Sequence, residues 1–333
     1  MKAGIKQISD ITGYSPATVS NALNNKKGVN QKTSEEIFRV AREIGYIDNN
    51  MISKIKLVIY KKNGLIIDDT PFFGFLISGI EQECREFGYE LVISNLDSRS
   101  PDYVEKAKQL MNEPGSAIIL LGTELSPEDL MLYKNSGCPL LLLDYWSFDM
   151  DFNGVMINNA DSARKAVNYL VANGHNSIGY LKGKFRILGF EQRQSGYHSA
   201  LRENELPFKP EYVVELSTTM NEAYKDMLVF LDHKPALPTA FFADNDMIAL
   251  GAMKALQDRD YRIPEDVSII GFDDLPFCEI SSPRLTSLRV PKQEMGRLAV
   301  RKLIDMVKRE DDILSKIQVC TEFVERDSVI KLK

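Results

Sequence analysis

Two hydrophobic rhythms divide the chain. In the opening run KQISDITGYSPATVSNALNN, apolar residues recur at helical spacing in two short stretches separated by a break. Ile8 and Ile11 are expected to form the stripe of a first helix, and Gly13 stands where a helix end commonly turns left-handed. Ser15 then reads as an N-cap, with Pro16 at the first helical position, where its missing N–H costs nothing. In the second helix Val19, Ala22 and Leu23 share one face, leaving Ala17, Thr18, Ser20, Asn21 and Asn24 on the other. A third helix carries Ile37, Val40, Ala41 and Ile44 at spacing i, i+3, i+4, i+7 and closes at Gly45. Together they would bury one small all-α core.

After residue 56 the pattern becomes short apolar runs alternating with amphipathic helices, which predicts parallel βαβ units and an α/β fold. IKLVIY, YELVISN, SAIILLG and PLLLLD read as strands of a first series, with a helix through FGFLISGIEQECREFG ending at Gly88 and another over 102–112. SIGYLKG, VVEL, TAFFADN and VSIIGFDD form a second series, with helices over 161–173, 191–204, 220–232 and 246–258. Two doubly wound lobes with a cleft between them follow, and in such sheets a ligand sits outside the carboxyl ends of the strands.

Charge sharpens the division. The chain of 333 residues has a net charge of −6, yet residues 1–56 hold nine Lys/Arg against five Asp/Glu, a net of +4, and the remainder carries −10. A basic head on an acidic body is the asymmetry expected when only the head meets phosphate. No apolar run approaches the roughly 18–20 residues that span a bilayer, and the polar N-terminus lacks the apolar core of an export signal, so a cytoplasmic protein with no membrane partner is expected. Cys84, Cys138, Cys278 and Cys320 are scattered, as free thiols in a reducing compartment would be. No nucleophile elbow, zinc-binding helix, phosphate loop or dinucleotide fingerprint occurs, so no catalytic residue, metal or cofactor is expected. Of the three histidines, His175 sits between a helix and a strand, where a structural role is the better reading.

The run ISDITGYSPATVSNALNNKKGVNQKTSEEIFRVAREIGYIDN resembles the N-terminal domain of the LacI/GalR family of bacterial regulators, through its TVS tripeptide, the following LN, the GVN turn and the terminal GYI. GHNSIGYLKG, RQSGYHSAL, PTAFFADNDMIALGAMKAL, IPEDVSIIGFDD and LTSLRVPKQEMGRLAV resemble family landmarks in the same order, so the likeness covers essentially the full chain. It implies a helix-turn-helix DNA-binding domain over 1–56 with a short hinge, and a periplasmic-binding-protein-like core of two doubly wound lobes over 57–333. The N-lobe would hold 57–156 and 287–314, the C-lobe 157–286 and 315–333, with lobe crossings near 155–158, 284–288 and 314–318. It further implies a homodimer on a near-palindromic operator and a small-molecule effector in the cleft.

By that resemblance Pro16, Ala17 and Asn21 face base edges, while Ser15, Thr18, Ser20 and Asn24 hold phosphates and set register. The hinge departs from the family. Position 48 is Asp rather than Pro, and Ile55 falls near the minor-groove wedge position but where the first strand already begins. In the cleft, Phe72, Phe73, Asp144, Trp146, Arg193, Asn245 and Asp273 are expected at strand carboxyl ends or in the loops that follow. Carboxylates accept from vicinal hydroxyls, Arg and Asn donate, and aromatic rings cover an apolar ligand face, a set that suits a sugar. Arg193 is the only cation expected there. The alternatives are a transport-type sugar-binding protein without a DNA role, and a corepressor-dependent regulator sensing a non-sugar metabolite.

Overall fold

A computed structural model of the chain describes residues 4–23, 29–44, 52–308 and 313–332. The expectations at Asn24, Gly45 and Asp48 lie outside these residues. The head has three helices, α1 (Ile5–Thr12), α2 (Pro16–Leu23) and α3 (Gln31–Glu43). Ile8, Val19, Ala22, Ile37, Val40 and Ala41 close its separate core. Gly13 ends α1 at φ 74° with its N–H on the Ser9 carbonyl, a conformation that glycine adopts without Cβ strain. Ile11 is 54% exposed, so it does not belong to the stripe; Ile5, one turn before Ile8, packs there instead.

The N-lobe is built from β1 (Lys54–Lys61), α4 (Phe72–Glu86), β2 (Glu90–Asp97), α5 (Tyr103–Met111), β3 (Ser116–Leu121), α6 (Pro127–Leu130), β4 (Leu140–Leu143) and β5 (Asn153–Ile157). The C-lobe follows with α7 (Asn159–Ala172), β6 (Ile178–Gly183), α8 (Leu188–Glu203), β7 (Val213–Leu216), α9 (Met220–Asp232), β8 (Ala240–Ala243), α10 (Asp246–Gln257), β9 (Ser268–Ile270) and α11 (Phe277–Ile280). The chain returns through β10 (Ser287–Arg289), α12 (Lys292–Lys308), β11 (Lys316–Val319) and β12 (Glu322–Val324).

The N-lobe sheet is parallel in the order β11-β5-β4-β3-β1-β2, and the C-lobe sheet is parallel in the order β7-β6-β8-β9. Helices cover both faces, which is why central strands such as β3 and β4 are buried at every position while edge strand β2 is mostly exposed or half-buried. β10 and β12 pair antiparallel between the lobes.

This pairing corrects two expected boundaries. β11 lies beside β5 in the N-lobe sheet, so the last crossing falls after Val319 rather than near 314–318. The body begins by Lys54, not at residue 57, because β1 pairs with β2 and β3 from Lys54 onward. Ile55 is the second residue of that strand, fully buried in the main hydrophobic core. A side chain held there cannot enter a DNA base step, so Ile55 is withdrawn from the DNA-binding residues; the shortened hinge already left it poorly placed to wedge. Among the described residues no helix is long and apolar enough to cross a membrane.

Candidate functional site

Arg193 projects from the second turn of α8, not from a strand end as the sequence suggested. Its helix can approach α7 closely because residue 196 is glycine; a Cβ there would meet the Ala160 carbonyl oxygen at 2.1 Å. That approach lets Arg193 Nε donate to Asn159 Oδ1 at 2.9 Å, while Nη1 donates to the Asp244 carbonyl at 2.5 Å. Its guanidinium carbon lies 3.6 Å from the centre of the Phe272 ring, and Nη2 is 3.5 Å from Asp273 Oδ1. The fork is thus oriented on three sides, with N–H groups of Nη1 and Nη2 left for a ligand.

Asp273 is buried at φ 110°, a region that L-residues rarely adopt. Its main chain is fixed by the segment entering α12: Asp273 N–H donates to the Leu288 carbonyl, and Lys292 Nζ donates to the Asp273 carbonyl. Burial raises the Asp273 carboxyl, while the charges of Arg193 and then Lys292 hold it down. Asp274 points elsewhere, toward Arg289 and Arg326, so the two adjacent carboxylates do not act as a pair.

Lys292 is a second buried cation that the sequence reading missed. Its three N–H groups reach the carbonyls of Asp273, Asp274 and Val290, so it fixes main chain at the lobe crossing instead of offering charge to a ligand. Nothing in the local pattern around VPKQ marks a buried lysine.

Asn245 N-caps α10, its Oδ1 accepting from Ile248 N–H at 3.0 Å. Its Nδ2 has no acceptor among the described residues and remains available as a donor. From the N-lobe, Asp144 sits at the end of β4 at φ 58°, accepting from Thr123 Oγ1 at 2.7 Å. Burial pushes its carboxyl up to about 6, and it lies near enough to Arg193 and Asp273 for their charges to act on it. Arg193 and Asp273 thus pair within the C-lobe, with Asp144 of the N-lobe close enough for its carboxyl to feel both charges.

The aromatic candidates divide. Phe72 and Phe73 are core residues of the first turn of α4, edge-to-face at 5.1 Å, and not loop residues. Phe72 touches the site only through Lys292, whose Nζ is 5.6 Å from its ring centre. Trp146 is half-buried and stands edge-on to Phe148 at 6.1 Å. His175 is bound by Thr239 Oγ1 and the Ile330 carbonyl, each at 3.0 Å, in the structural role expected of it.

A further carboxylate shapes the cleft. Glu124 is buried after β3 and accepts from the backbone N–H groups of Lys62, Asn63, Gly64, Ile66 and Ile67, ordering the β1–α4 loop. That loop reaches the C-lobe, where Thr218 Oγ1 donates to the Leu65 carbonyl and Met220 N–H to Asp69.

On the head, Ser15 Oγ accepts from Thr18 N–H at 3.1 Å as the N-cap of α2. Ser15, Pro16 and Ala17 are exposed, and Thr18, Ser20 and Asn21 are partly so, on the side of α2 opposite Val19 and Ala22.

Comparison with known proteins agrees at both ends of the chain. The family "Bacterial regulatory proteins, lacI family" matches residues 4–49, and "Periplasmic binding protein-like domain" matches residues 167–329. The HTH-type transcriptional repressor PurR of Mannheimia succiniciproducens is 28% identical over 99% of both chains. The ribose operon repressor of Haemophilus influenzae is 28% identical over 99% of this chain and 100% of its own. Among solved structures, a CelR–cellobiose complex superposes with a TM-score of 0.74 at 24% identity, covering 98% of this chain and 100% of that one. A lac repressor dimer bound to operator gives 0.73 at 22% identity, covering 99% and 100%. With the head, the two-lobed core and the order of both accounted for, the chain carries a lacI-family helix-turn-helix domain followed by a periplasmic-binding-protein-like domain.

Proposed function

We propose that this chain is a dimeric transcriptional repressor whose operator affinity is set by a neutral sugar bound between the lobes. The observation that carries the ligand class is the Arg193–Asp273–Asp144 cluster. One guanidinium faces two carboxylates, so the site has no surplus positive charge for a phosphate or carboxylate ligand. Lys292 does not change this, since carbonyls take its N–H groups. Carboxylates that accept hydroxyl protons, beside Arg and Asn donors, match the vicinal diols of a sugar. The similar identities to PurR and to the ribose operon repressor do not choose between ligand classes; the side-chain chemistry supports the sugar reading.

DNA binding rests on α2. Its exposed face is short and uncharged, so direct readout is light: Asn21 can pair an adenine edge and Ala17 a thymine methyl. One such helix reads few bases, so two are needed, on half-sites about one helical turn apart. Ligand closes the lobes and changes the relative placement of the two heads, which alters operator affinity by differential binding to two states. The role is one of binding, with no reaction assigned.

The test combines a thermal-shift screen of sugars, sugar phosphates and nucleobases with selection of bound DNA from a random pool. A stabilising neutral sugar and a near-palindromic selected site are expected. Stabilisation only by a nucleobase or a phosphate would overturn the ligand class, and absence of any selected sequence would overturn the operator role.

A further inference from the structure

The loop between β1 and α4 is tied to both lobes. On the N-lobe side, buried Glu124 presents both carboxylate oxygens to it. Oε2 accepts from the N–H groups of Lys62, Asn63 and Gly64 at 2.8, 3.1 and 2.9 Å. Oε1 accepts from those of Ile66 and Ile67 at 3.0 and 3.3 Å. Five main-chain donors converging on one point make the kind of concavity that binds an anion, and here a side chain of the same chain fills it. Gly64 takes the curl at φ 78°, which costs glycine no Cβ strain. The side chains of Ile66 and Ile67 are buried in the main core, so the loop is packed as well as bonded.

On the C-lobe side the loop meets the start of α9. Thr219 stands at the N-cap of that helix without a side-chain cap bond, and the Met220 N–H that follows donates to Asp69 Oδ2 at 3.3 Å. A carboxylate at this end also suits the helix dipole. Buried Thr218 donates from Oγ1 to the Leu65 carbonyl at 3.4 Å. A helix of one lobe is therefore capped by the other, and separating the lobes must break both contacts. The N-lobe anchor adjoins the candidate ligand site: Thr123, one residue before Glu124, donates from Oγ1 to Asp144 at 2.7 Å.

We propose that residues 62–70 form an interlobe strap with Glu124 as its positioning residue, holding the loop so that Asp69 and Leu65 clasp the start of α9 and favour the closed arrangement before any ligand arrives. The strap sets the resting balance between open and closed lobes, which is the balance a ligand shifts. This bias is independent of the chemical class of that ligand.

Hydrogen exchange on the full chain, with no ligand added, tests this. Glu124→Gln keeps the size of the side chain but turns an amide NH2 toward some of the five donors. Exchange should rise by at least about tenfold in 62–67 and also in 217–221 on the other lobe, while β6 and β8 keep their protection. Asp69→Ala removes the clasp and leaves the anchor, so 217–221 should lose protection while 62–67 keeps it. Small-angle scattering from Asp69→Ala should show the lobes further apart. Asp69 is exposed, so this variant carries the test even if Glu124→Gln fails to fold. Loosening confined to 62–67 in Glu124→Gln would make Glu124 a tie of its own loop and overturn its positioning role. Unchanged protection at 217–221, or unchanged scattering, in Asp69→Ala would overturn the strap.

Discussion

Arg193 and Asp273 face each other at 3.5 Å, both almost wholly buried, with Phe272 stacked beneath the guanidinium. The pair is too long for a tight hydrogen bond and too buried to be solvated, which is the state of two groups arranged for a third partner. Removing one member strands the other charge, at a cost of about 3–5 kcal/mol for a buried pair.

Arg193→Ala should therefore destabilise the C-lobe by about that amount and abolish the ligand response. Asp273→Asn keeps the shape but also strands the Arg193 charge, so it should abolish the response at a comparable cost to the fold. If the ligand releases the protein from DNA, unliganded operator binding stays within a few-fold in both variants; if it promotes binding, operator binding itself is lost. Fluorescence anisotropy on operator DNA, with and without ligand, separates these outcomes. Unchanged ligand affinity in both variants would place the effector elsewhere.

Asp144 gives a pH signature. Its carboxyl is raised from 3.8 to about 6 in the fold, chiefly by burial. The folded chain thus holds this proton more tightly than the unfolded chain, so this group's effect on stability is most favourable below pH 4 and worsens up to about 6. Hydroxyls that donate to Asp144 favour its ionised form, so ligand affinity should strengthen from pH 5 to 7 and then level. Asp246, also raised by burial, titrates nearby, so Asp144→Asn is the needed control. Calorimetry across this range should find the slope in the natural chain and a flat profile in the variant; the same slope in both would remove Asp144 from the ligand.

The sequence carried more of this than its 333 letters show at first sight, and the failures have physical causes. Runs buried on both faces, such as SAIILLG and PLLLLD, were readable as strands because a parallel core admits few polar residues. β5 and β11 were not read: the first is only five residues long and the second alternates as an edge strand does. Missing them moved a lobe crossing. Arg193, Asn245, Asp273 and Asp144 were singled out through family landmarks and strand ends, and of these the fold pairs Arg193 with Asp273. Lys292 and Glu124 were invisible because both act on main-chain groups, and a backbone partner leaves no residue pattern.

Ile55 converts an expectation about DNA into one about folding. Fully buried in β1, it contributes to the N-lobe core, and Ile55→Ala should cost about 2–5 kcal/mol of stability. Operator affinity of the folded variant should change by less than about 1 kcal/mol, well below the several kcal/mol tied to unstacking a base step. Denaturant unfolding and gel-shift titration on the same sample measure both. A large affinity loss with little unfolding cost would restore the wedge.

The proposed dimer can be tested through Ile280. At 80% exposure it is the most exposed large hydrophobic residue among those described, and it sits on the C-lobe beside Phe277, Leu250, Met253 and Met220. These line a shallow apolar depression between α10 and α11, and an apolar patch of this kind on a soluble surface marks a protein contact. The proposed operator role supplies the partner, since one α2 helix is too short to specify a site and a second copy doubles the bases read. A two-fold contact places each Ile280 against the same patch of its partner, so one charge per chain enters the interface twice. Ile280→Glu should therefore yield a monomer by sedimentation at micromolar concentration, with the thermal midpoint of the lobes little changed because the residue supports no core. Operator affinity should fall by at least a hundredfold, while binding to random DNA, which needs only one basic head, falls far less. A variant that remains dimeric and binds operator normally would move the interface to another face.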